Sequence, residues 1–197
     1  MGAIVPVRRV TPFCAILHGH DEDLPPAREA LLECFGPLEL ESEPYPFTAT
    51  EYYRDEMGAG LRRTFLTFQR LADPAELPEW KRETNELEAR LAEALAARDR
   101  AAGRPERRRP VNLDPGYLSA AKLVLASTKD FAHRIYLRQG IFAEITLAYR
   151  AGRWEPHPFT FPDFRAETYH AFLTRARDRH MRKDGLEAPR SPDANQA

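Results

Sequence analysis

Seven of the nine residues best placed to do chemistry fall between Asn112 and Glu144. "RPVNLDPGYLSAAKLV" (Arg109 to Val124) holds Asn112, Asp114, Tyr117 and Lys122, and Lys129, Arg134 and Glu144 follow. Asn85 and Tyr53 sit upstream in "TNELE" and "YYRDEMG". Bases, carboxylates, an amide and tyrosines together suit a small phosphorylated or nucleotide-like molecule. The bases would hold phosphate by charge-assisted hydrogen bonds. Asp114 and Glu144 are the candidate catalytic pair, as general base or as holders of a metal. Asn112, Tyr117, Lys122, Lys129, Arg134, Asn85 and Tyr53 are the candidate ligand-binding set. The sequence specifies no reaction and no cofactor, and binding without catalysis satisfies it equally.

Each candidate has a plainer reading beside it. Asp-Pro-Gly is a type II turn signal, since Pro fixes φ and Gly accepts positive φ. That predicts a strand-to-helix junction at 114–117, where free backbone N–H groups favour anions. Lys81, Asn85 and Glu88 share one helix face at i, i+4 and i+7, which is either a solvated stripe or a polar rim over a sheet edge. "YYRDEMG" (Tyr52 to Gly58) reads as a ligand wall or as a cap over the core. The Arg134–Glu144 pair is a solvated cross-strand pair or a pocket floor. His18, His20, Asp21 and Asp23 in "HGHDED" lack further ligands at defined spacing, so no metal site is assigned. Asp163 reads as the N-cap of the last helix. There is no P-loop, no dinucleotide fingerprint and no GxSxG elbow.

These residues need elements to position them. "PFCAILHG" (Pro12 to Gly19) reads as a buried strand, and "LPPAREALLECFG" as a helix over 24–35 stopped by Gly36. Leu61 to Leu71 alternates as a strand, with Phe65 and Thr67 opposite Leu66 and Phe68. Trp80, Thr84, Leu87, Leu91 and Leu95 give a helix over Pro74 to Ala102, stopped by Gly103. Arg109 to Leu113 reads as a strand, and Ser119 to Ser127 as a short helix. His133 to Trp154 is a hairpin turning at Arg138-Gln139-Gly140, with Leu137 opposite Ile141, Arg134 opposite Glu144 and His133 opposite Ile145. "HPFTFPDF" reads as a further strand, and a last helix runs from Ala166 to Lys183. The order predicts an α+β fold: a ferredoxin-like β-α-β-β-α-β core extended by a helix, a hairpin and a C-terminal helix. One domain spans 1–183, with a disordered tail at 184–197.

The bulk numbers bound the rest. The chain has 197 residues, 43% of them hydrophobic, and a net charge of −1. Asp21 to Glu56 holds eleven acids and two bases, whereas Arg98 to Arg138 holds ten bases and four acids. The basic half is where a phosphate-bearing partner belongs. Two cysteines cannot make a disulfide framework, and free thiols suit a cytoplasmic protein. No signal peptide and no transmembrane run is present, so no membrane partner is expected. Oligomeric state is open.

"YYRDEMG", "TNELE", "RPVNLDPGYLSAAKLVLAST", "KDFAHRIYLRQGIFAEITL" and "FTFPDF" together resemble the bacterial and archaeal family called domain of unknown function 4416. The resemblance covers most of Pro12 to Lys183. It implies an intracellular single-domain protein of uncharacterised activity. The rival class to a small-molecule binder is an RNA-binding or protein-interaction module, because ferredoxin-like sheets can stack bases on exposed aromatics. The chain lacks the aromatic-rich pattern of such sheets.

Overall fold

The computed structural model describes residues 2–50 and 53–185. Most of the proposed tail, and Tyr52, lie outside the described residues. The fold is α+β, with nine strands in one antiparallel sheet. Chain order runs β1 (Thr11–His18), α1 (Leu24–Phe35), β2 (Leu38–Glu41), β3 (Tyr45–Pro46), α2 (Arg54–Met57), β4 (Arg62–Phe68), α3 (Leu77–Ala101) and β5 (Val111–Leu118). β6 (Lys122–Ser127), β7 (Ile135–Arg138), β8 (Ile141–Arg150), β9 (Arg153–Pro156) and α4 (His170–Lys183) follow. The spatial order is β2-β4-β1-β5-β6-β8-β7, with β3 on β4 and β9 on β8.

Every residue of β1 is buried, because both sheet faces are covered. Alternate side chains enter two cores. Cys14 and Ile16 join Leu66, Phe68, Val111 and Leu113 beneath α1 and α3. Phe13 and Ala15 join Phe65, Leu118 and Leu125 beneath α4 and Phe164. The helical stripe of Trp80, Leu87, Leu91 and Leu95 packs on the first core as its spacing predicts.

The "DPGY" turn does not form. β5 runs through it, paired to β1 from Val111 to Leu118, with Pro115 opposite Cys14 and Gly116 opposite Phe13. Pro115 is tolerated because β6 does not reach its other side: the β5–β6 ladder covers only Gly116 to Leu118. Gly116 is required for closeness rather than for a turn. A Cβ there would lie 2.2 Å from the Val124 carbonyl oxygen and 2.6 Å from Leu125 Cδ2.

The helix expected at Ser119 to Ser127 is also absent, and β6 takes its place. Leu123, Val124, Leu125 and Ala126 are all buried, so the apolar run carries no alternation to distinguish it from a helix. "HPFTFPDF" forms no strand; β9 precedes it, and 3-10 turns lead into α4. The hairpin register holds at Ile135 opposite Ala143 and Tyr136 opposite Phe142, but it then shifts, and Arg138 rather than Leu137 lies opposite Ile141. Its turn has two residues rather than three, Gln139 and Gly140, both at positive φ (56° and 75°).

Candidate functional site

β5 and β6 part company at Gly116, and a cavity of about 150 Å³ opens beside the split. The outer backbone edge of β5 faces α3 there instead of a strand. Lys81 Nζ donates to the Leu113 carbonyl at 2.9 Å, and the Leu113 N–H donates to Glu88 Oε1 at 2.8 Å. Two side chains on one helix face, two turns apart, therefore replace a missing ladder rung. Lys81 and Glu88 thus form a polar rim over a sheet edge, while Asn85 between them is exposed at the mouth.

Six of the nine residues singled out from sequence line this cavity: Tyr53, Asn85, Asn112, Asp114, Lys129 and Arg134. Lys81 and Arg109 line it too, with Ser127, Phe131 and Phe161. Four cationic side chains thus face the space with the carboxylate of Asp114, and two of them are already paired: Arg109 with Glu88 at 2.7 Å and Arg134 with Glu144. Glu144 stands behind Arg134, accepting from its Nε at 2.8 Å. Tyr117 and Lys122 lie elsewhere, in a second hollow of about 430 Å³ that Glu144 also borders. The sequence grouping of Lys122 with Lys129 and Arg134 fails because β6 is a strand, which places its two ends far apart.

Asp114 sits in the densest set of partners. Its Oδ2 accepts from Asn112 Nδ2 at 2.7 Å and from Arg63 at 3.1 Å, and Lys81 Nζ is 3.9 Å from Oδ1. Burial pushes its carboxyl up, but Lys81 and Arg63 prevail and hold it below the usual carboxylate range. Arg63 is itself buried, between Asp114 and Asp163 (3.2 Å), with the rings of Phe47 and Phe164 5.2 and 5.9 Å away. Asp163 is no helix cap. It is buried against Arg63, and burial raises its carboxyl above its ordinary value. Glu88 is raised by burial as well, against the pull of Lys81 and Arg109. Burial, then Asp114, push the Tyr53 phenol up to about 12, so it is a hydrogen-bond donor at neutral pH.

Arg134 is held on all sides. It donates to Ser127 Oγ at 2.6 Å and to the Lys129 carbonyl at 3.1 Å, and its guanidinium lies 4.6 and 5.5 Å from the Phe131 and Phe161 rings. The pair it makes with Glu144 is buried rather than solvated, with Arg134 on the wall of the cleft and Glu144 on that of the second hollow. His133 also reaches Glu144, at 3.3 Å, and stacks on Phe159.

Sequence reasoning missed Arg63, Arg109 and Asp163. Arg63 carried one legible signal: it shares the face of Phe65 and Thr67 in an alternating strand, a position for a core side chain. Among the described residues no cluster of three potential metal-ligating side chains forms, and His18 hydrogen-bonds Thr64 and the His20 carbonyl. No described helix is long and apolar enough to cross a membrane.

No curated protein and no solved structure matches the chain. The family model described as Domain of unknown function (DUF4416) matches residues 8–180. With the match spanning nearly the whole described chain, the protein belongs to the DUF4416 family.

Proposed function

We propose that this protein binds a small phosphorylated ligand, with the phosphoryl group seated in the cleft where β5 and β6 separate. The observation that carries this is the convergence of Lys81, Arg109, Lys129 and Arg134 on a cavity of about 150 Å³. That space suits a phosphoryl group and is smaller than the roughly 300–1,000 Å³ of sites enclosing a whole drug-sized molecule. The remainder of the ligand therefore lies at the mouth, where Phe131 and Phe161 are exposed and offer ring faces to a base or sugar. Tyr53 and Asn112 supply neutral hydrogen-bonding groups that set orientation.

Binding is favoured over catalysis. A general base needs a pKa near the working pH, and Asp114 is held on the opposite side of its usual range by cations that occupy its oxygens. Asp114 serves here as the anion that arranges Arg63, Lys81 and Asn112. An RNA-binding sheet has less support, because the strands carrying β1, β4 and β5 are covered on both faces. For the core, we propose a ferredoxin-like unit of β1, α1, β2, β4, α3 and β5. Its support is the order β2-β4-β1-β5, wholly antiparallel, with α1 and α3 on one face.

Thermal shift measurements with inorganic phosphate, nucleoside monophosphates and sugar phosphates test the reading. Phosphate-bearing compounds raise Tm, and Lys129→Glu, an exposed change, removes the rise, each read against the same variant's unliganded Tm. No rise with any of them, or a rise unchanged in Lys129→Glu, refutes it.

A further inference from the structure

The second hollow, of about 430 Å³, has a different chemistry. Its floor is the sheet face that α1 and α3 cover further along. Val124 and Ile145 are cross-strand partners, as are Ala143 and Ile135, so all four share that face. Neither helix extends over it, and its apolar residues meet water: Ile135 is 69% exposed and Ile145 44%. Apolar surface grouped in a concavity is a recurrent mark of a binding site. The size falls within the small-molecule range of about 300–1,000 Å³.

The charges on its walls are unequal. Glu144 is already met by Arg134 and His133. Lys122 makes no ion pair among the described residues. Lys122 and Tyr117 also line an adjoining hollow bordered by Arg8, Arg9 and Asp184, where Arg8 pairs with Asp184 at 3.6 Å and Arg9 adds one further positive charge. An apolar floor with an uncompensated cation at one end is complementary to one ligand class.

We propose that this hollow binds an amphiphile with an anionic head, an alkyl carboxylate, whose chain lies on Val124, Ile135 and Ile145 and whose carboxylate meets Lys122. The site is separate from the phosphate cleft, and neither assignment depends on the other.

Calorimetric titration of the full-length chain with decanoate and with decylamine, both below micelle formation, tests it. Decanoate binds one to one and about fivefold tighter than decylamine, the ratio a half-exposed ion pair supports. Lys122→Glu reverses the preference. Ile145→Arg abolishes decanoate binding, and Leu137→Arg on the neighbouring strand does the same. Both variants keep the far-ultraviolet circular dichroism and the Tm of the parent, since both side chains already meet solvent. Four results overturn the proposal: no decanoate binding, decylamine bound as tightly as decanoate, decanoate binding that survives Ile145→Arg, or a dimer in sedimentation that Ile145→Arg dissociates. The last would assign the hollow to a second copy of the chain.

Discussion

Asp114 answers to Arg63, Lys81 and Asn112 at once, and those contacts decide what its loss does. Asp114→Asn removes the charge while keeping the shape. Arg63 retains Asp163, and the Asp114 side chain is 26% exposed, so the cost falls below the roughly 3–5 kcal/mol of breaking a fully buried pair. We expect about 1–3 kcal/mol of destabilisation in urea denaturation; a variant as stable as the parent would show that the carboxylate has no structural part. Arg134→Ala is harsher, because it strands the buried Glu144. Arg134→Ala/Glu144→Ala recovers part of that loss, and coupling near zero in the double-mutant cycle would remove the pair from the list of stabilising contacts.

At the scale of elements, Gly116 governs the β5–β6 junction. Gly116→Ala drives a methyl into the Val124 carbonyl oxygen and the Leu125 side chain. Backbone yields less readily than a side-chain tip, so we expect about 2–3 kcal/mol of destabilisation, the upper part of the overpacking range. Full stability in Gly116→Ala would mean that β5 and β6 lie further apart than described. The same junction shows why part of the fold was legible in the sequence and part was not. α3 announced itself by helical spacing, and the hairpin by alternation around a glycine. β6 did not, because a strand buried on both faces has no alternation. Asp-Pro-Gly misled because a local turn preference was overridden by an eight-residue ladder to β1. Six of the candidate residues could still be found together, because each was the wrong type for ordinary packing, whichever element held it. Arg63 on β4 and Arg109 before β5 were not placed with them, since their convergence depends on strand order.

Across the whole molecule, buried charge and buried histidine set the response to pH. Burial lowers the imidazoles of His18, His170 and His180 below their ordinary value near 6.5. A group depressed in the folded state stabilises above its unfolded pKa, and that contribution is lost as pH falls through it. Tm therefore declines between pH 7 and pH 5. His180 hydrogen-bonds Thr11 Oγ1 at 3.1 Å, with Asp184, Glu39, Lys183 and Arg177 nearby. His180→Gln flattens the decline; a slope unchanged in this variant would assign the effect to other groups. A second network joins distant segments: Asp23 and Asp99, both fully buried, share Arg107, with Arg98 and Arg104 at the flanks. Arg107→Ala removes the shared partner while Arg98 stays on Asp23 and Arg104 on Asp99, so it costs about 1–3 kcal/mol in denaturant unfolding, below the roughly 3–5 kcal/mol of an unpaired buried charge. A loss below 1 kcal/mol would show that Arg98 and Arg104 suffice.

The side-chain rung between α3 and β5 gives one amide an unusual isotope signature. The Leu113 N–H ends on a carboxylate whose proton affinity is raised, whereas neighbouring strand amides end on carbonyls, which do not titrate in this range. Deuterium uptake at Leu113, corrected for intrinsic exchange, therefore accelerates on acidification through the Glu88 titration while its neighbours on β1 keep a constant protection factor. A ligand that draws Lys81 or Asn85 toward the cleft pulls on the same helix face as Glu88, so that single amide reports occupancy from within the sheet, without a dye and without an assay for any reaction.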